Sequence, residues 1–253
     1  MTDRTYVTAS VADGTGSIHL DDPTTRNALS PAMSLAIAAA VERCLADGAT
    51  AILLTAAAPV FCSGGSLDEL AEPTHPLDDA YAGMQALLGS PVPTIAVVTA
   101  PAIGAGVNLP LACDVVLATP DARFDPRFLD VGIHPGGGHL WLLRERLGAQ
   151  GAAALALCGD ALTGEEAATA GLAWRCLPDE AAALETAHRF ARRIASRPAE
   201  LVARAKTSLR ASEGLDLEGA AAVEREAQEW SMVQPFFGER VAALRARISG
   251  GSR

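Results

Sequence analysis

The chain has 253 residues, 49% of them hydrophobic and 20% charged, with a formal net charge of -10. The apolar share excludes a disordered chain, and the acidic balance excludes nonspecific binding to nucleic acid or an anionic membrane, both of which need summed positive potential. The length fits one large α/β domain with a helical appendage, and aromatics at only 4% imply a core of Ala, Val, Leu and Ile.

Residues Tyr6 to Ala12 and Ser17 to Leu20 alternate in polarity around Asp13-Gly14-Thr15-Gly16, which predicts an opening β-hairpin. Ser30-Pro31 supplies an N-cap and an N1 proline for a helix carrying Met33, Leu35, Ile37, Val41 and Leu45 up to Asp47-Gly48. Ala51 to Thr55 has the length of a buried strand. The small-residue segment Phe61 to Ser66 follows it, and a helix starts at Leu67.

The pattern then recurs. Thr94 to Thr99 forms a strand, Ile103-Gly104-Ala105-Gly106 opens the apolar helix Val107 to Ala112, and Asp114 to Ala118 forms another strand. Such alternation implies parallel strands with helical crossovers. From Leu140 onward the spacing is helical: Leu140–Leu147, Ala149–Leu157, Gly164–Ala170, Glu180–Ala195, Ala199–Ser212, Leu215–Glu229 and Glu239–Arg247.

Several chemistries are excluded by their missing motifs. No serine sits in a Gly-x-Ser-x-Gly elbow, no Gly-Lys-Ser/Thr phosphate loop exists, and Leu109 occupies the third glycine position after Gly104 and Gly106. The five cysteines are scattered without a CxxC pair, and His134 and His139 lack zinc-ligand spacing, so no disulfide framework and no metal is expected. The N-terminus has no apolar targeting core and no segment approaches the ~20 apolar residues of a membrane span, so a cytoplasmic protein is expected.

Two loops, Cys62-Ser63-Gly64-Gly65-Ser66 and Ile103-Gly104-Ala105-Gly106-Val107, each link a buried strand to a helix. Two such loops can aim two backbone N–H groups at one carbonyl oxygen, the arrangement of an oxyanion hole. The same glycines would equally serve tight strand-to-helix turns.

In order, Arg26-Asn27-Ala28-Leu29-Ser30, Val60-Phe61-Cys62-Ser63-Gly64-Gly65, Pro101 to Gly106 with Ala112-Cys113-Asp114, and Gly132-Ile133-His134-Pro135-Gly136-Gly137-Gly138 resemble the enoyl-CoA hydratase/isomerase (crotonase) family. Leu162-Thr163-Gly164-Glu165-Glu166-Ala167 fits the same pattern. The resemblance implies a crotonase-like α/β spiral of ββα units over residues 1–197, with a C-terminal helical trimerisation region over 198–253. It also implies a homotrimer or dimer of trimers. The ligand would be an acyl-CoA thioester, with coenzyme A as part of the substrate and no separate cofactor.

By the same resemblance Gly65 and Ala105 donate their N–H groups to the thioester oxygen. Arg26 would meet the CoA phosphates, the backbone around Ser63 the adenine, Leu67 would also bind substrate, and the stretch Glu72 to Asp79, with Pro73 and Pro76, would be a mobile loop over the acyl site. The two glutamates that hold and activate water in hydratases align with Asn108 and Phe128, and a catalytic aspartate of other members aligns with Gly136. Asn108 can still position a water through its amide, and Phe128 walls the acyl pocket. The nearby polar residues suggest His134 as a base oriented by Asp130. They could instead form a turn network in which Asp130 pairs with Arg127 or caps a helix.

The expected activity is hydration of a 2-enoyl-CoA through a stabilised thioester enolate. The alternatives are a noncatalytic acyl-CoA binder or carrier, and a C–C bond hydrolase or isomerase of the same fold.

Overall fold

A computed structural model describes residues 6–250. The chain opens with the hairpin β1 (Val7–Ala12) and β2 (Thr15–Leu20), joined by the two-residue turn Asp13-Gly14. Both turn residues have positive φ, 49° and 73°, the geometry that matches strand twist and favours Asp-Gly. The helix α1 (Pro31–Ala46) begins where expected, and the Ser30 hydroxyl accepts from the Met33 N–H at 3.1 Å. Then come β3 (Ala51–Ala56), the short α2 (Leu67–Ala71) and α3 (Leu77–Gly89). The next group is β4 (Thr94–Val98), β5 (Pro101–Ile103), a 3₁₀ turn over Gly104–Val107, α4 (Asn108–Leu111), β6 (Val115–Ala118) and β7 (Arg123–Asp125).

Beyond these, α5 (His139–Cys158) bends at Gly148, whose φ of 67° and ψ of 178° only glycine adopts freely. The non-helical backbone at Gly148 divides α5 into two helical stretches, as the hydrophobic spacing predicts. The first unit closes with β8 (Leu162–Thr163), α6 (Gly164–Ala170), β9 (Arg175–Cys176) and α7 (Glu180–Ala195).

Six strands form one sheet in the order β1-β2-β3-β4-β6-β9, parallel except for the opening hairpin. A second sheet, β5-β7-β8, is small. Alternate residues of the large sheet face two separate cores, as the strand period of two requires. Ile52, Leu54, Ala96, Val98 and Val116 join the larger core with α1, whereas Ala51, Leu53, Ile95, Val97 and Leu117 pack on Ala183, Ala187 and Ala191 of α7. Burial on both faces explains why these strands are nearly continuous in apolar residues.

Contacts divide the chain at Ala195/Ser196 into two compact units. The second contains α8 (Ala199–Ala211), α9 (Leu217–Met232) and α10 (Pro235–Gly250). Within it the Arg204 guanidinium lies 4.1 Å over the Trp230 ring, joining α8 to α9, and Asp216 caps α9 through the Gly219 N–H at 2.8 Å. Among the described residues no helix is long and apolar enough to cross a membrane.

Candidate active site

The first donor loop is stitched to backbone on both sides. On one side Leu29 N–H donates to Gly64 O at 2.7 Å and Ser63 N–H to Arg26 O at 3.1 Å. On the other, Phe61 N–H donates to Pro101 O and Ile103 N–H to Cys62 O, each at 2.9 Å. The second donor loop follows directly from that last strand. Both loops are therefore fixed by hydrogen bonds running across them.

The glycines set the closeness of this approach. Gly64 has φ of 92°, and a Cβ there would lie 2.7 Å from Ile103 O; a Cβ on Gly106 would lie 2.5 Å from Cys62 O. Ala105 N–H falls in the first turn of the 3₁₀ segment, where no preceding carbonyl is in register to accept it. No hydrogen bond among the described residues takes up the Gly65 or Ala105 N–H. The two loops that could have been simple turns thus present two unpaired donors beside one cleft.

That cleft, about 840 Å³, is lined by Gly65, Ala105, Arg26, Ser63, Leu67, Phe128 and His134, and by Tyr81, Gly136 and Ile133. Arg26 reaches its mouth from a turn in which Arg26 and Asn27 both have positive φ, 56° and 53°. Asn27 holds this strained conformation: its amide donates to Ala57 O and Val60 O at 3.2 and 2.9 Å and accepts from Asp22 N–H at 2.7 Å. Cys62, beside the donors, is fully buried, and burial pushes its thiol up to about 12. It is an inert thiol.

Asn108, buried and one turn after Ala105, is fixed from two directions. Its Nδ2 donates to Gly136 O at 3.2 Å, which leaves Oδ1 to accept from His139 Nδ1 at 2.6 Å. This assigns the Nδ1–H tautomer to His139 and leaves the lone pair on Nε2, a buried atom without a partner among the described residues. Burial holds the His139 imidazole down at about 4, so it is neutral near pH 7. Phe128 packs on it with ring centroids 4.9 Å apart. Asn108 and Phe128, the positions aligned with the two glutamates, therefore share one buried partner, His139. Its fixing of Asn108 was not foreseen from the sequence.

Asp130 and His134 are not brought together. The bend closed by Ile133 N–H to Phe128 O at 3.0 Å turns Phe128 inward and leaves Asp130 exposed. Asp130 lines a separate depression with Asp125, Arg127 and Cys158. Arg127 pairs with Asp125 at 2.8 Å and not with Asp130. His134 does line the cleft, but its Nδ1 lies 2.7 Å from Pro135 O, a carbonyl that can only accept, so no carboxylate orients the ring.

The connection before α3 is hydrogen-bonded to Glu69 of α2. Glu69 Oε1 accepts from the N–H groups of Thr74 and His75 at 2.7 and 2.8 Å, and Oε2 accepts from the Thr74 hydroxyl at 2.8 Å. These bonds hold the Glu69 carboxyl down at about 2. The helix α3 lies against α1 because Gly83 has no side chain. A Cβ there would be 2.7 Å from Ser34 O, and Gly83 N–H donates to the Ser34 hydroxyl at 2.9 Å. Tyr81, one turn-face away, projects into the cleft and lies on Gly136 and Gly137. Among the described residues no group of three or more His, Cys, Asp or Glu is placed to hold a metal ion.

Residues 10–235 match the family model described as enoyl-CoA hydratase/isomerase. A probable enoyl-CoA hydratase of Mycobacterium tuberculosis is 38% identical over 95% of this chain and 98% of its own length. A 1,2-epoxyphenylacetyl-CoA isomerase of Escherichia coli is 30% identical over 96% of this chain and 97% of its own. Among solved structures, an enoyl-CoA hydratase subunit of Geobacillus kaustophilus has a TM-score of 0.88 at 26% identity, covering 96% of this chain and 95% of that one.

Proposed function

Because the chain belongs to the enoyl-CoA hydratase/isomerase family, we propose that its large cleft binds an acyl-CoA thioester and that the Gly65 and Ala105 N–H groups stabilise the thioester enolate during addition of water to a 2-enoyl-CoA. The observation that carries this reading is the pair of unpaired backbone donors held on two cross-bonded loops beside the cleft. Such donors act where charge develops on the carbonyl oxygen, and each is worth about 10²–10³ in rate. They are fixed before substrate arrives, so no reorganisation opposes the reaction.

In this reading the strained Arg26 turn offers positive charge to the CoA phosphates, and the Ser63 backbone meets the adenine. Leu67 and Phe128 wall the acyl chain. Coenzyme A enters as part of the substrate. The exposed apolar side chains of the second unit, Leu209, Leu217, Val233, Leu244 and Ile248, support self-association into a trimer or dimer of trimers, which sedimentation would report.

Asn108, Phe128 and Gly136 supply no carboxylate, which favours a second reading, an acyl-CoA binder without turnover. The test is loss of conjugated-thioester absorbance across trans-2-enoyl-CoAs of increasing chain length. Turnover of about 1–1,000 per second supports hydration. Saturable binding without turnover transfers the assignment to a carrier or to isomerisation on the same donors.

A further inference from the structure

The cleft contains a polar group that no role above uses, the Tyr81 hydroxyl. The Tyr81 ring, on α3, lies over the backbone of Gly136 and Gly137: a Cβ on Gly137 would come within 2.6 Å of its ring, and one on Gly136 would collide with its hydroxyl. Tyr81 thus occupies the room that a side chain at 136 would need. The hydroxyl lines the cleft and takes no hydrogen bond among the described residues. Partial burial raises the phenol above its ordinary range, so it stays protonated and able to donate at neutral pH.

Its position relative to the donors is defined by backbone. Asn108 follows Ala105 by three residues, about 5 Å along the turn. The Asn108 amide bonds Gly136 O at 3.2 Å, and the tyrosine lies on that same glycine. A thioester whose oxygen is held at Gly65 and Ala105 lies in the same cleft as the Tyr81 ring. The cleft wall carries Leu70, Leu77, Ile103, Phe128 and Val131, together with the polar Asp68, Arg127 and His134. A hydroxyl donor without a protein partner discriminates between ligands, because an apolar ligand would leave it unpaired.

We propose that the Tyr81 hydroxyl holds the oxygen on, or arriving at, the β-carbon of the acyl chain, and so sets a preference for β-oxygenated acyl thioesters over unsubstituted ones. This rests on the acyl-CoA reading above. Tyr81 fills the room beside Gly136 with a neutral donor, which can hold such an oxygen but takes no proton from it.

The test needs no turnover. Calorimetric titration with butyryl-CoA and 3-hydroxybutyryl-CoA gives an affinity ratio for the wild type, for Tyr81→Phe and for His134→Ala. One hydrogen bond predicts about a tenfold preference for the hydroxylated thioester in the wild type, falling to less than twofold in Tyr81→Phe and persisting in His134→Ala. Equal binding of both thioesters by the wild type, or a preference that survives Tyr81→Phe, overturns the role of Tyr81 and leaves the acyl-CoA reading standing. A wild type that binds neither thioester overturns both.

Discussion

Acidification tests the buried His139 directly. Its imidazole is 1% exposed and held at about 4 by burial, whereas an unfolded histidine titrates near 6.5. The unfolded chain therefore takes up a proton that the folded chain refuses, and stability present above pH 6.5 is lost as pH falls toward 4. Linkage puts the loss at about 2 kcal/mol at pH 5 and about 3 kcal/mol at pH 4. Urea unfolding from pH 7 to pH 4 measures it, with His139→Gln as reference, since glutamine can donate to Asn108 Oδ1 without titrating. Carboxylates such as Glu69 titrate in both proteins and cancel in the difference. Parallel pH profiles for the two proteins would refute the assignment of a neutral, buried His139.

Further outcomes follow from the same geometry. Ala105→Pro removes one unpaired N–H and should lower turnover, or the rate of enolisation, by about 10²–10³ with little change in melting temperature. Gly136→Asp introduces a Cβ against Tyr81, so it should destabilise the protein by about 1–3 kcal/mol, and Tyr81→Ala in the same chain should recover most of that loss, measured as a double-mutant cycle in urea. With a thiol reagent at pH 8, the exposed Cys158 should react within minutes, while the buried Cys62, pushed up to about 12, should react only on unfolding.

Much of the fold was legible because its signals are local. Ser30-Pro31 announces α1, Asp13-Gly14 announces the hairpin turn, and the continuous apolar runs at 51–55 and 94–99 announce strands buried on both faces. The strands of the small sheet, two or three residues each, were not legible, since so short a run carries no periodicity. The helix α3 was hidden behind the proline-rich 72–76 stretch, although Leu77, Tyr81, Met84 and Leu88 repeat at helical spacing.

The candidate site divides the same way. Small residues at Gly64, Gly65, Ala105 and Gly106 mark the donor loops in sequence, because only small residues permit backbone to approach backbone so closely. The pairing of Asp130 with His134 rested on proximity in sequence, and the bend that turns Phe128 inward separates them. By contrast, His139 reaches Asn108 across 31 positions, and Tyr81 reaches Gly136 across 55, through packing of α3 on α1 that no local pattern encodes. Sequence by itself determined most of the longer elements and the donor loops, since capping, periodicity and steric permissiveness act over a few residues. Tertiary structure alone decided which polar groups meet in the candidate site, since burial, tautomer and unpaired donors depend on neighbours distant in the chain.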